Sequence, residues 1–229
     1  MIRPLTRLAL LLPLAPLAAL AACSSLHGAE APFDELRQHE VTLRYSRTHL
    51  DDDFRPFDKG VGGALEYSYG LPRSPWRFFL GLSETADDVR FDQTFTTGGG
   101  AMFDAPVRFQ AQIREIYAGV RHEWTLARGW VKPYFGGGAS FAEGSIESTP
   151  PPAFIDPGDP NNSIFPPSEV DDDDDSFGLF TTAGVAFPLG DGFRVSADWR
   201  WLFLPEFDLF GTNRDGGYQL LGFSFGWRF

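Results

Sequence analysis

The sequence predicts an all-β protein, an eight-stranded antiparallel up-and-down barrel that spans a membrane. From residue 39 onward, apolar and polar residues alternate with a period of two, which is typical of strands with one apolar and one polar face. Short and long connections also alternate along the chain, and aromatic residues concentrate near the strand ends. Transmembrane barrels combine these features, because their strands join through short turns at one end and long loops at the other.

Eight segments carry the alternation, and each has an apolar face that we expect to contact lipid. In chain order these faces are Val41-Leu43-Tyr45, Leu65-Tyr67-Tyr69, Trp76-Phe78-Leu80-Leu82, Ile116-Ala118-Val120, Val131-Phe135-Ala139, a mixed run over 177–187, Phe193-Val195-Ala197-Trp199-Trp201 and Leu221-Phe223-Phe225-Trp227-Phe229. A further apolar set, from Val107 to Ile113, is out of phase with the set from Ile116 to Val120. An inserted residue flips every later side chain to the other face, so this change of phase predicts a bulge.

The connections fall into two length classes. The tight ones are Gly70 to Ser74, Thr125 to Gly129 and Pro188 to Gly192, and the longer ones are 51–60, about 84–106, 143–175 and 204–216. A soluble β-sandwich also has period-two strands, but nothing in it places all the long loops at one end. In hydrocarbon an unpaired backbone group is costly, so a spanning sheet has to close on itself.

Aromatic residues form two groups near the strand ends. Near the short turns they are Tyr69, Trp76, Trp124, Trp130, Phe187, Phe193 and Phe229, and toward the other rim they are Trp199, Trp201 and Phe203. Aromatic residues favour strands in general. Their clustering beside the turns favours two interfacial girdles, where an apolar ring with one polar edge is most stable.

The polar faces of the strands predict a charged barrel interior. The expected inward acids are Glu40, Glu66, Glu115, Glu123 and Asp198, and the expected inward bases are Arg44, Arg77, Arg121, Lys132, Arg200 and Arg228. Eight strands enclose a space just wide enough for side chains to fill. Paired charges can occupy such a space, whereas unpaired ones are costly there. The near-balance of the two sets therefore predicts a plugged interior rather than an open channel.

Residues 1–22 have the features of a secretory signal peptide. Arg3 and Arg7 precede an apolar run from Leu8 to Leu20, which is too short for a transmembrane helix, and small residues follow it. Leu20-Ala21-Ala22-Cys23 resembles the bacterial lipobox, which predicts lipid attachment at Cys23 and a linker over 23–38. Cleavage after the Ala19-Leu20-Ala21 pattern, with Cys23 incidental, is the alternative.

Composition excludes several classes of function. The 229 residues carry a net charge of −12, and removing the two arginines of the signal peptide makes the mature chain more acidic still. Nucleic acid is not an expected partner, because phosphate binding needs clustered lysine and arginine. A single Cys excludes an internal disulfide framework and a cysteine-based zinc cluster.

Three motifs resemble those of the small outer-membrane barrels of the OmpA, OmpX and OmpW type. They are the aromatic C-terminus with Phe225, Trp227 and Phe229, the Lys132-Pro133-Tyr134-Phe135-Gly136 segment, and the hairpin over 183–195. The resemblance covers residues 39–229. It implies a location in the bacterial outer membrane, contact with outer-membrane lipid and lipopolysaccharide, and recognition of the C-terminus by the barrel-assembly machinery. It does not identify an extracellular partner.

Residues 143–175 form the most distinctive segment, rich in acids and prolines and without a base. Asp171, Asp172, Asp173, Asp174 and Asp175 are consecutive, and carboxylates of this kind can bind Ca²⁺. The spaced ligands and the turning glycine of an EF-hand loop are absent. The favoured interpretation is a solvated, self-repelling, disordered loop without a metal.

Catalysis is not expected. The four histidines, His27, His39, His49 and His122, show no spacing to a serine that would indicate a catalytic triad, and no cofactor motif is present. Gly98-Gly99-Gly100 is expected to be a flexible loop tip, since no helix follows it. We therefore expect a non-enzymatic outer-membrane protein with a structural or surface-interaction role, the alternatives being a narrow channel for small solutes or a lipid-modifying enzyme.

Overall fold

A computed structural model shows a closed antiparallel barrel of eight strands, which confirms the predicted fold class. It describes residues 38–50, 59–96, 102–149, 154–156, 159–164, 170–190, 192–204, 206–209, 212–215 and 217–229. The signal peptide, Cys23 and the glycine run at 98–100 lie outside these residues. In chain order the strands are β1 His39–Leu50, β2 Lys59–Gly70, β3 Trp76–Thr96, β4 Met102–Glu123, β5 Lys132–Thr149, β6 Phe154–Asp156, β7 Asp159–Ile164, β8 Val170–Gly190, β9 Phe193–Phe203, β10 Glu206–Leu209, β11 Thr212–Asp215 and β12 Tyr218–Arg228.

The barrel closes where its first and last strands meet. Around the wall the order is β1, β12, β9, β8, β5, β4, β3 and β2, so each of these strands has two antiparallel neighbours. At the closing seam the amide of Phe229 donates to the carbonyl of His39 at 2.9 Å, and the amide of His39 donates to the carbonyl of Phe229 at 3.2 Å. Closure pairs the backbone N–H and C=O groups of the first and last strands, which could not form hydrogen bonds with lipid. The sequence analysis predicted closure for this reason.

Short turns gather at one end of the barrel. The β4–β5 connection contains a single 3₁₀ turn, Ala127–Gly129, whose first and last residues have positive φ. The pairing of β8 with β9 has a register shift between Pro188 and Gly190, beside the turn that joins the two strands. In outer-membrane barrels this end faces the periplasm, and the opposite end faces outward.

The strands differ in length, and the predicted long loops are largely strand. β3, β4, β5 and β8 have 21, 22, 18 and 21 residues, whereas β1 and β2 have 12 residues each and β9 and β12 have 11 each. The expectation of irregular connections over 84–106 and 143–175 was wrong for the parts that the structure describes. Residues 84–96 pair with 102–114, and residues 143–148 pair with 170–175.

The outer face of the long strands changes from apolar to charged between two successive cross-strand rows. The apolar row is Leu82, Ile116, Phe141 and Phe177, and the charged row is Glu84, Arg114, Glu143 and Asp175. All four residues of the apolar row are exposed, as expected of side chains that face lipid. The charged row therefore indicates where the wall leaves the membrane and continues outside the cell.

The predicted bulge in β4 is absent. Pairing between β3 and β4 runs without a register shift from Trp76 opposite His122 to Thr96 opposite Met102. Ile113 faces the barrel interior and is buried, whereas Ile116 faces outward and is exposed. Side chains therefore alternate between the two faces of β4 without interruption. Within the membrane the outer face contacts lipid and is apolar. Beyond the membrane the outer face contacts water, so the apolar residues lie on the inner face.

Two small hairpins accompany the barrel at its outer end. β6 pairs with β7, and β10 pairs with β11, and neither hairpin joins the barrel ladder. The β10–β11 hairpin lies within the segment 204–216 that the sequence predicted as a loop. In the part of the chain that the structure describes, no helix is long and apolar enough to cross a membrane.

Candidate functional site

The periplasmic half of the interior contains a network of buried ion pairs centred on two glutamates. Glu40 at the start of β1 lies 2.6 Å from Arg194 and 2.7 Å from Arg228. Glu123 at the end of β4 lies 2.9 Å from Arg194 and 2.8 Å from Arg228. Arg77 is 3.6 Å from Glu40 and 3.8 Å from Glu123. Each carboxylate therefore has several cationic partners, which offsets the cost of removing these charges from water.

Arg121 and Arg44 continue this network toward the middle of the barrel. Arg121 lies 2.6 Å from Glu66 and 3.2 Å from Glu123, so it connects the two acids. Arg44 lies 3.3 Å from Glu66 and 3.1 Å from Asp198. Because these side chains project from strands on opposite sides of the barrel, the ion pairs fill its cross-section.

A second cluster surrounds Glu115. Its carboxylate accepts hydrogen bonds from Ser83 at 2.9 Å, from Tyr218 at 3.3 Å and from Ser140. Arg200 forms an ion pair with Glu115 and stacks between two rings, with its guanidinium carbon 3.9 Å from the ring centroids of both Tyr117 and Phe180. Such stacking stabilises a cation where water is scarce.

Buried apolar side chains fill the middle and the outer end of the interior. They include Phe79, Ala111, Ile113, Tyr117, Ala142, Ile146, Phe180, Leu202, Leu204, Phe207, Tyr218 and Leu220. Tyr117 lies against Gly81 so closely that a Cβ at position 81 would overlap its ring. At the outer end, where Ile113 and Ile146 are buried and Arg114 is exposed, the barrel has the kind of core found in soluble proteins, with apolar residues inside and polar ones outside.

The β10–β11 hairpin closes the outer end of this core. Phe207 is fully buried, and its ring packs against Gly144, where a Cβ would come within 3.3 Å of it. The amide of Asp208 donates to the Asp174 carboxylate at 2.7 Å. The Phe207 ring and the hydrogen bond from the Asp208 amide thus help to hold the hairpin against the inner faces of β5 and β8.

The structure places every lumen charge selected from the sequence inside the barrel. Glu40, Glu66, Glu115, Asp198, Arg77, Arg121, Lys132, Arg200 and Arg228 are buried, and the side chains of Arg44 and Glu123 are at most 10% exposed. Sequence analysis missed Arg194, a buried partner of both Glu40 and Glu123. Its alternation with Phe193 and Val195 would have identified it.

The five consecutive aspartates lie on β8 and not in a disordered loop. Asp171, Asp173 and Asp175 are exposed, while Asp172 and Asp174 point toward the other face and are half-buried. Because successive strand residues point to opposite faces, the five carboxylates do not converge on one point. Among the described residues no group of three or more His, Cys, Asp or Glu side chains could hold a metal ion.

The described histidines occupy structural positions near the ends of strands. The Nδ1 of His39 lies 2.6 Å from the Tyr67 hydroxyl, and its ring stacks on Phe229. His122 packs against Trp76 and Trp124 at the periplasmic end. His49 lies on β1 opposite Lys59, and His27 lies outside the described residues.

The outward face of the β3–β4 hairpin carries charges of both signs. Arg108 donates through Nε to Asp88 at 2.7 Å and forms a second contact through Nη2, a two-point pair on the exposed surface. The hydrogen bonds from Arg108 hold the pKa of Asp88 below its usual value, and Asp88 raises the pKa of Arg108. Arg90 lies directly opposite Arg108, so this face is not uniformly acidic as β8 is.

Comparison with known proteins identifies the same type of barrel. A family model for the outer membrane protein beta-barrel domain matches residues 15–229. The structure of Neisserial surface protein A is similar at 13% identity and a TM-score of 0.52, covering 83% of this chain and 96% of that one. A major outer membrane protein from Thermus thermophilus is similar at 13% identity and a TM-score of 0.53, covering 83% and 99%. Identities this low show a shared fold alone, and no curated protein matches the chain.

Proposed function

Because this chain belongs to the outer membrane protein β-barrel family and resides in the bacterial outer membrane, we propose that it is a non-enzymatic surface-interaction protein. The observation that carries this proposal is the unequal wall. β3, β4, β5 and β8 have 18 to 22 residues each and continue past the charged row, whereas the other four barrel strands have 11 or 12 residues each. The extension presents a charged outer face and is closed inside by apolar side chains. Such a surface suits contact with other molecules outside the cell.

The filled interior favours this role over the narrow channel. Three successive layers block the path: the ion pairs around Glu40 and Glu123, the stacked Arg200, and the apolar core closed by Phe207. Moving any one layer would separate buried charges or expose apolar surface. The lipid-modifying alternative lacks support, since the described histidines contact aromatic rings or lie at the rim.

Two further features belong to the proposal. We propose that Cys23 carries lipid, because the only Cys of the chain follows a lipobox-like sequence. We also propose that outer-membrane lipid and lipopolysaccharide surround the exposed apolar belt. Phe225, Trp227 and Phe229, which all face outward, would be read by the barrel-assembly machinery. Labelling with a radioactive fatty acid tests the first point, and Cys23→Ser should abolish the label.

The surface role is tested by shortening the part of the extension that β3 and β4 form, while keeping the barrel. Replacing residues 89–109 by Asn-Gly joins the opposed residues Asp88 and Gln110 through a two-residue hairpin turn. Nanodiscs with the full-length or shortened protein are then compared for binding to bacterial cells and to immobilised serum proteins. We expect binding by the full-length protein only, with both proteins shifting on gels when boiled.

Planar-bilayer recording completes the test. A surface protein should give no stepwise current in either form. Absence of binding by both forms would contradict the surface role, and equal binding by both would contradict a contribution of the β3–β4 hairpin to it. Regular conductance steps from the full-length protein would favour the channel instead.

A further inference from the structure

The periplasmic end of the barrel interior carries more positive than negative charge. Six inward-facing charged residues stand first, second or last in their strands at this end, and together we call them the periplasmic mouth: Glu40, Arg77, Glu123, Lys132, Arg194 and Arg228. Four are bases and two are acids. Deeper within the membrane the described interior charges balance, three acids against three bases: Glu66, Glu115, Asp198, Arg44, Arg121 and Arg200. Among the described residues, the surplus of two positive charges therefore lies at the mouth.

The two acids of the mouth are shared by the same bases. Three arginines each lie within 3.6 Å of Glu40 and within 3.8 Å of Glu123: Arg77, Arg194 and Arg228. Lys132, the first residue of β5, adds a fourth buried base. The side chains of Arg77 and Arg228 are 8% exposed, whereas Glu40 is fully buried. Like charges are costly where water is scarce, so a further acidic group at the mouth would stabilise it.

The chain enters the barrel at this mouth. The carbonyl of Gln38, the residue before β1, accepts a hydrogen bond from the Gly70 amide at 2.7 Å and another from Nη2 of Arg77 at 3.1 Å. One base of the mouth is therefore bound directly to the start of the described chain. The segment that precedes Gln38 lies outside the described residues, but its sequence fixes its charge and its reach.

The charge of residues 30–37 matches that of the mouth. The segment contains the acids Glu30, Asp34 and Glu35 and one base, Arg37, which gives it a net charge of −2. Asp34 lies four residues before Gln38, and four residues of extended chain span at most about 14 Å. The interior of an eight-stranded barrel is only wide enough for side chains to fill. Carboxylates at positions 34 and 35 can therefore reach across the mouth.

We propose that residues 30–37 dock across the periplasmic mouth through Asp34 and Glu35 and close it. The carboxylates would neutralise the surplus of positive charge that the barrel strands leave there. The occupant is a segment of this chain, which is tethered to the mouth at Gln38 and so is always present at high local concentration. The inference concerns the end of the barrel opposite to the proposed surface role, and neither depends on the other.

The reactivity of a single cysteine measures docking. In the full-length mature protein, Cys23→Ser removes the only natural thiol, and Ala31→Cys places a new one within the segment. Phosphatidylcholine nanodiscs leave both ends of the barrel accessible and add no net lipid charge. The rate of labelling by a polyethylene-glycol maleimide is divided by the rate for the same variant unfolded in urea, which corrects for the intrinsic reactivity of the thiol. Docking should make the folded protein react at least tenfold more slowly than the unfolded one.

Variants on each side of the contact locate it. Asp34→Asn combined with Glu35→Gln should raise the labelling ratio at least fivefold, and Lys132→Gln should raise it at least threefold, because each weakens the attraction. Lys59→Gln removes an exposed base from the opposite end of the barrel and is the matched control. It should change the ratio by less than twofold. A shift on gels after boiling confirms that each variant has folded, and the segment variant leaves the barrel itself unaltered.

Equal labelling ratios in the parent and in the segment variant would overturn the proposal. An increase with Lys59→Gln as large as with Lys132→Gln would also overturn it, because the net charge of the chain and not the mouth would then control labelling. Fast labelling of every form, together with binding of inorganic phosphate that Lys132→Gln abolishes, would assign the mouth to a soluble anion instead. None of these results alters adhesion by the β3–β4 hairpin, so failure of this inference and failure of the surface role are distinguishable.

Discussion

The part of the barrel within the membrane and the part outside it have opposite polarity, although the same strands build both. Within the membrane, β4 turns Ile116 outward to lipid and Glu115 inward to Arg200. Outside it, the same strand turns Arg114 outward to water and Ile113 inward to an apolar core. The comparison teaches that the backbone fixes which side chains share a face, while the solvent on each side decides which face is apolar.

The two interiors are also stabilised differently. The apolar core outside the membrane gains from removing apolar surface from water, as in a soluble protein. The exposed apolar side chains of the belt within the membrane face lipid, so they are not stabilised by packing against one another in a core. There the interior depends on ion pairs that compensate one another, so losing one partner leaves several charges buried without compensation.

The largest expected effect is on the charged interior. Glu40→Ala removes a carboxylate that lies within 3.7 Å of Arg77, Arg121, Arg194 and Arg228, so we expect a loss of about 3–5 kcal/mol in the free energy of unfolding. Urea unfolding of the mature barrel in lipid vesicles measures it. Asp92→Asn, which removes an exposed charge, is the control. A loss no larger than that of the control would show that the network does not stabilise the fold.

The next largest effect is a difference in unfolding free energy between alanine substitutions of two isoleucines on opposite faces of β4. Ile113→Ala should cost about 2–4 kcal/mol, because it leaves a cavity in the apolar core. Ile116→Ala should cost much less, since lipid chains fill the space that the side chain leaves. The same urea titration measures both variants. Similar losses at the two positions would contradict the assignment of the boundary between membrane and exterior.

The sequence was sufficient to predict the strand number, the barrel and the inward charges, because alternation and connection length are local signals. It was misleading at Val107–Ile113, where an unbroken alternation was interpreted as a bulge. The error came from the assumption that lipid surrounds the whole length of every strand. The acidic run was likewise assigned to a loop on composition, whereas cross-strand pairing with β5 holds Asp171–Asp175 in β8.

Cys23 and the loop tips lie outside the described residues, so their sequence-based predictions stay predictions. The ion-pair partners were beyond the reach of sequence, because no local pattern shows which of the inward bases meets which acid. The polar face of β9 contained Arg194, yet its role between Glu40 and Glu123 depends on closure of the barrel. Tertiary geometry decides these contacts.

A smaller effect, of opposite sign, is expected on the acidic outer face of β8. Glu143 faces Asp175 and Glu147 faces Asp171, and like charges directly opposite each other are destabilising. Asp171→Asn combined with Asp175→Asn should therefore raise the free energy of unfolding by about 0.5–2 kcal/mol. The gain should shrink in high salt, which screens exposed charges. Destabilisation by the two substitutions would show that these carboxylates have favourable partners.

The smallest effect concerns Asp88 and Arg108, the exposed pair on β3 and β4. The pKa of Asp88 is lower in the folded protein than its usual value, so the pair stabilises the fold above the pKa of an unfolded aspartate, about 3.9, and loses this contribution as the pH falls through the folded value. Asp88→Asn should therefore lower the melting temperature slightly at pH 7 and by less at pH 2. Because both side chains are almost half exposed, solvent and salt screen their attraction. Melting curves at the two pH values measure the difference, and Asp104→Asn serves as the control for loss of an acid on the same hairpin. An effect of equal size at pH 2 would mean that Asp88 acts through packing and not through its charge.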